Sequence, residues 1–142
     1  MKIIILGAGQ VGRTAAYHLA REEANDVTVV DVNDHLLRDL QDRLDIRTVA
    51  GSGAHPNILE LAGAASADMI VALTNSDEVN MVACQVAHSL FKVPKKIARV
   101  REQSYLKPEW SALFSGENMA IDAIISPEIE VARAVIRQLE MP

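Results

Sequence analysis

Gly7, Gly9 and Gly12 stand in the spacing G-x-G-x-x-G, with Ala8, Gln10 and Val11 between them, a pattern suited to seating a phosphate. Between a strand and a helix, Gly7 permits a tight turn and Gly9 lets the backbone approach a ligand without a Cβ in the way. Gly12 lets the helix pack close. The helix start then offers N–H groups and a partial positive charge to a pyrophosphate. Asp31 follows the third glycine by about 20 residues, where a carboxylate holds a ribose 2′-hydroxyl. It would repel a 2′-phosphate, and Val32, Asn33 and Asp34 supply no arginine to receive one. NAD(H) or an adenine nucleotide therefore fits better than NADP. Gly7 to Thr14, GAGQVGRT, also comes close to the P-loop pattern, but Arg13 takes the lysine position, and a P-loop leaves Gly9 and Asp31 unexplained.

Other residues could line the same cleft. Ligands of an open parallel sheet sit beyond the carboxyl ends of the strands, where the strand order reverses. Thr74 and Asn75 follow an apolar run, Met69 to Leu73, that should neighbour the first strand there; Thr74 to Asp77 also suit capping of the next helix. Arg99 and Arg101 bracket Val100 at the end of a later strand, and a covered strand cannot hold such charges cheaply. Arg99 can reach a phosphate or ribose at an open end, or an acid in a surface ion pair. Ser52 and Gly53 follow another strand, where an adenine rests or a plain turn suffices. His18, His35, His55 and His88 are scattered without metal spacing, which gives each a surface or packing role. No G-x-S-x-G elbow, H-E-x-x-H pair or C-x-x-C occurs, and a dehydrogenase would need a substrate domain that these residues leave no room for. The expectation is a nucleotide seat without catalytic apparatus. An NAD-dependent oxidoreductase cut off from its catalytic half is the alternative, and an S-adenosylmethionine-binding methyltransferase is a third reading.

The elements that must position these residues alternate regularly. Apolar runs at Lys2–Leu6, Val27–Val30, Ile46–Ala50, Met69–Leu73, Ile97–Val100 and, more weakly, Ala120–Ile125 read as strands. Between them lie helical stripes: Val11, Ala15, Ala16 and Leu19 within 11–23; Leu36, Leu37, Leu40 and Leu44; Ile58, Leu59 and Leu61 up to Gly63; and a long helix from Asp77 to Phe91. Residues 103–114 read as irregular or helical, and Ser126-Pro127-Glu128 opens a last helix. The fold class is α/β, a doubly wound parallel sheet of Rossmann type in three layers. The 77–91 helix carries two apolar stripes, Val79, Val82, Ala83, Val86 and Leu90 on one side and Met81, Cys84, His88 and Phe91 on the other. Two apolar faces suit a helix buried against its own sheet and against a second subunit or domain; an inner helix with Cys84 and His88 merely packed is the plainer reading.

Composition bounds the rest. With 142 residues, 49% hydrophobic and 23% charged, the chain can bury a sizeable core in one domain. Aromatics are only 4%, which suits an aliphatic parallel sheet. A net charge of −5 argues against a nucleic-acid surface. Cys84 stands alone, so no internal disulfide forms, and no apolar run has the length of a membrane span. With the first strand starting at Lys2, the expectation is a chain without a leader, in the cytoplasm.

Longer motifs carry a family resemblance. MKIIILGAGQVG at the start, AGSGAHPNIL at 50–59, VALTNSDEVNMVACQVA at 71–87, IARVR at 97–101 and ISPE at 125–128 are similar to the TrkA-type regulatory subunits of Trk bacterial potassium uptake systems. The resemblance spans essentially the whole chain. It implies an RCK (KTN) domain, binding NAD(H), or ATP and ADP at the same site, and assembling as dimers or rings beneath a TrkH/TrkG-like membrane transporter. On that resemblance Gly7 to Val11 hold the pyrophosphate and Asp31 the ribose, Thr74 and Asn75 line the cleft, and Arg99 reaches phosphate or ribose. It further implies a nucleotide-binding lobe over 1–125 and a crossover helix over 126–142 through which paired lobes dock, beside the self-association through helices 77–91 and 126–140 that their apolar residues suggest. A regulator with no catalytic residue, peripheral on the inner face of the membrane, is the expected function. Ser52 stands where many such domains carry an acid, and proteins of this kind continue well past residue 142, so the chain reads as an N-terminal piece.

Overall fold

Lys2–Leu6 forms strand β1, whose apolar side chains are all buried because helices cover both faces of the sheet. The computed structural model describes residues 1–126 together with Arg137. Helix α1 (Gln10–Ala20) follows, then β2 (Asp26–Asp31), α2 (Asp34–Gln41), β3 (Arg47–Ala50) and α3 (Pro56–Leu61). The second half holds β4 (Met69–Ala72), α4 (Asp77–Phe91), β5 (Lys95–Arg99) and β6 (Ala123–Ile125). All six strands pair in parallel in the order β3-β2-β1-β4-β5-β6, so the order reverses between β1 and β4.

Strand alternation feeds two cores. Ile3 and Ile5 pack with Ala15, Ala16, Leu19, Leu37 and Leu40 from α1 and α2. Ile4 and Leu6 point the other way, to Leu59 of α3 and Met81, Cys84 and Ala87 of α4. Fully burying each such isoleucine or leucine contributes roughly 1.5–3 kcal/mol. The doubly wound fold expected from the sequence is the one observed.

Boundaries differ where side chains compete for the backbone. β5 begins at Lys95, two residues earlier than expected, because Lys96 is buried with its Nζ donating to the Val93 carbonyl at 2.9 Å and paired with Asp122 at 3.3 Å. β6 is confined to Ala123–Ile125, since the Ala120 N–H is taken by the Gln85 side chain. Residues Gln103–Leu106 and Pro108–Phe114 form two short 3-10 helices. The crossover helix expected after Ser126 lies outside the described residues.

The two-faced reading of α4 needs one correction. Its sheet face is Asn80, Met81, Ala83, Cys84 and Ala87, so Ala83 belongs with Cys84 and not with Val82. His88 is exposed, whereas Val82 and Leu90 remain 47% and 61% exposed on the outer side.

Candidate functional site

The turn after β1 is shaped by what its glycines lack. Gly7 adopts φ +109°, and a Cβ there would stand 2.8 Å from the Leu73 carbonyl oxygen. A Cβ on Gly9 would meet nothing within 4 Å, which is the opening a bound group needs. Gly9 is the N-cap of α1 and supplies no side-chain cap, whereas α2 and α4 are capped by Asn33 and Ser76. The first turn of α1 also carries no acid, so its N–H groups and positive dipole end are offered to the cleft.

Asp31 ends β2 beside this turn. Its Oδ2 accepts from the Ala8 N–H and its Oδ1 from the Asn33 N–H, each at 2.7 Å. The carboxylate therefore braces the glycine turn against the start of α2 while one edge remains on the cleft wall. Across the cleft, the ends of β4 and β5 are tied to the first turns of α4. Thr74 bonds Asn80 through both its N–H and its hydroxyl, and Asp77 accepts from the N–H groups of Arg101 and Glu102 at 3.0 and 2.8 Å. Arg101 donates to the Asn75 carbonyl at 2.7 Å. Arg99 is 3% exposed, yet it sits at the strand terminus and lines the cleft, the open end that a strand arginine requires.

Together these segments enclose about 560 Å³ at the reversal of strand order. Of the residues singled out from the sequence, Gly7, Gly9, Gln10, Val11, Asp31, Ser52, Thr74, Asn75 and Arg99 all lie on this wall. Ala8 and Gly12 do not: Ala8 is buried and serves Asp31, and Gly12 packs under Gly7. Ser52 Oγ accepts from the Ala54 N–H at 3.3 Å, closing a turn as well as facing the cleft. Sequence reasoning missed Asn80 and Asp77 as supports; the signal was a polar side chain inside the apolar inner stripe of a helix.

The arrangement puts a carboxylate on one wall, arginines on the other and open helix N–H groups between them. It suits a ligand with hydroxyls at one end and phosphates in the middle. All four histidines are exposed, and among the described residues no group of three His, Cys, Asp or Glu could hold a metal. Cys84 is fully buried, and burial pushes its thiol up to about 12, against an opposing pull from Lys96. No helix among the described residues is long and apolar enough to cross a membrane.

Comparison with known proteins adds to this geometry. The TrkA-N domain family model matches residues 3–127. The Trk system potassium uptake protein TrkA of Halomonas elongata is 59% identical over 142 residues, covering 100% of this chain and 30% of the relative. Its namesake in Azorhizobium caulinodans is 54% identical, covering 100% of this chain and 31% of the relative. The chain thus spans under a third of the length of these relatives, which are named as potassium uptake proteins and not as enzymes. Among solved structures, the TrkA-N domain of inner membrane protein ybaL from Escherichia coli shares the fold, with TM-score 0.73, 19% identity, and 97% of this chain and 96% of that one covered. The GsuK channel bound to NAD superposes with TM-score 0.68 at 25% identity, covering 87% of this chain and 21% of that one.

Proposed function

This chain belongs to the TrkA-N domain family, and on that footing we propose that it is the nucleotide-sensing lobe of a regulatory subunit of a bacterial potassium uptake system. NAD(H), with ATP or ADP in competition, binds in the cleft. The pyrophosphate lies over Gly9 to Val11, a ribose meets Asp31, Thr74 and Asn75 line the far wall, and Arg99 reaches phosphate or ribose. The observation that carries this reading is the opening at Gly9, an uncapped helix start set between Asp31 and Arg99 where the sheet reverses.

As a regulator the lobe has no chemistry to perform on its ligand. It changes a conformational equilibrium, and it does so only as far as the ligand binds two states unequally. A tenfold difference supplies about 1.4 kcal/mol per site, so several coupled subunits make a useful switch. Subunits pair through the outer side of α4 and through residues 126–140, and the change in their relative angle passes to a TrkH/TrkG-like membrane transporter. The subunit then resides in the cytoplasm, held on the inner face of the membrane by that partner.

Calorimetric titration with NADH, NAD, ATP, ADP and S-adenosylmethionine tests the site. The variant to run beside it is Asp31→Asn, which keeps one acceptor oxygen for the Ala8 or the Asn33 N–H, whereas Asp31→Ala would release both. Saturable binding of NADH or ATP, weakened about tenfold by Asp31→Asn, is expected. No binding at millimolar concentration, or a preference for S-adenosylmethionine, would overturn the reading.

A further inference from the structure

Asn80 lies in the first turns of α4 with no exposed surface, among residues that pack on the sheet. An aliphatic side chain would serve that packing better, and a buried amide is tolerable only when bonded. Here every capacity of the amide is used. Oδ1 accepts from the Thr74 N–H at 2.9 Å and from the Thr74 hydroxyl at 2.7 Å. Nδ2 donates to the Thr74 carbonyl at 3.2 Å and to the Arg99 carbonyl at 2.9 Å. A single side chain therefore joins the chain just beyond β4 to the end of β5, the neighbouring strand, and both segments line the cleft.

We propose that Asn80 is the positioning residue of this cleft: it fixes Thr74 and the Arg99 backbone relative to each other, so that a nucleotide meets a wall already formed. The proposal rests on the nucleotide reading above. Asn80 does not line the cleft and acts through Thr74 and Arg99. The single Thr74 hydroxyl proton goes to Asn80 Oδ1 at 2.7 Å, and Oγ1 already accepts from the Ser76 N–H at 3.2 Å, so one lone pair of Oγ1 remains to meet a ligand as an acceptor, suited to a ribose hydroxyl or an amide N–H. When the tie is cut, the competent arrangement becomes one of several, and apparent affinity falls by the fraction that remains competent.

The test uses the full chain, NADH as probe, and the variants Asn80→Ala and Asn80→Ser, measured well below their melting temperatures. Serine leaves a polar group and room for a water, which keeps the question open to measurement if alanine fails to fold. About tenfold weaker NADH binding is expected, with faster hydrogen exchange at the Thr74 amide, whose acceptor has gone. Thr74→Val should cost less affinity in the Asn80→Ala or Asn80→Ser background than alone, since Asn80 acts through that residue. Unchanged NADH affinity in a folded Asn80 variant, or full additivity with Thr74→Val, would overturn the proposal while leaving the nucleotide site standing. A wild-type chain that binds no nucleotide removes both.

Discussion

Gly12 shows how closely the turn is folded on itself, since a Cβ there would stand 1.8 Å from the Gly7 carbonyl oxygen and 2.6 Å from its carbon. Both are backbone atoms, so α1 and the turn must move apart to admit a methyl group. Gly12→Ala should lower stability by about 1–3 kcal/mol, as overpacking does, and weaken NADH binding at least about tenfold by displacing the helix start. Thermal denaturation and titration of the same sample would check both. Cys84 gives a second residue-scale expectation. Its folded value of about 12 lies above that of an unfolded thiol, near 8.5, so between those limits the unfolded chain has lost a proton that the folded chain keeps. Stability present below that window should fall as pH rises through it, and Cys84→Ala should flatten this part of a denaturation profile. The glycine spacing and Asp31 were legible in the sequence because they stand at a recurring separation, although Asp31 too reaches across the sheet to the Ala8 N–H. Asn80 and Asp77 were not, because their partners at Arg99, Arg101 and Glu102 come from a segment that only the sheet brings near.

At the scale of elements, α4 divides its two sides between two tasks. Asn80, Met81, Ala83, Cys84 and Ala87 hold the sheet, while Val82 and Leu90 stand exposed with Leu61 of α3 at 71%. Its apolar positions were readable from helical spacing, but their division was not, since small Ala83 fits under the sheet and branched Val82 turns outward. If the outer side pairs subunits as proposed, Val82→Lys with Leu90→Lys should abolish or weaken self-association seen by sedimentation velocity. Stability of the isolated subunit should change by no more than about 0.5 kcal/mol per site, as at other exposed positions. An unchanged oligomer would place the pairing surface elsewhere. Helix starts were more legible than helix ends. Asn33 and Ser76 both cap through their own side chains as their residue types suggest, whereas the α1 end at Ala20 carries no such local mark.

For the molecule as a whole, the alternation of aliphatic strands and helices foretold a parallel doubly wound sheet, and the reversal between β1 and β4 follows from it. The cleft then had to lie beyond the strand ends, and residues as far apart in sequence as Gly7 and Arg99 share its wall. The measurement that bears most directly on this account is a map of backbone amide shifts during NADH titration. Saturable shifts concentrated at Gly7, Gly9, Gln10, Asn33, Thr74 and Arg99 are the result expected. No shifts at millimolar NADH, or shifts gathered instead around Tyr105, Trp110 and Leu113 on the far 3-10 helices, would contradict it.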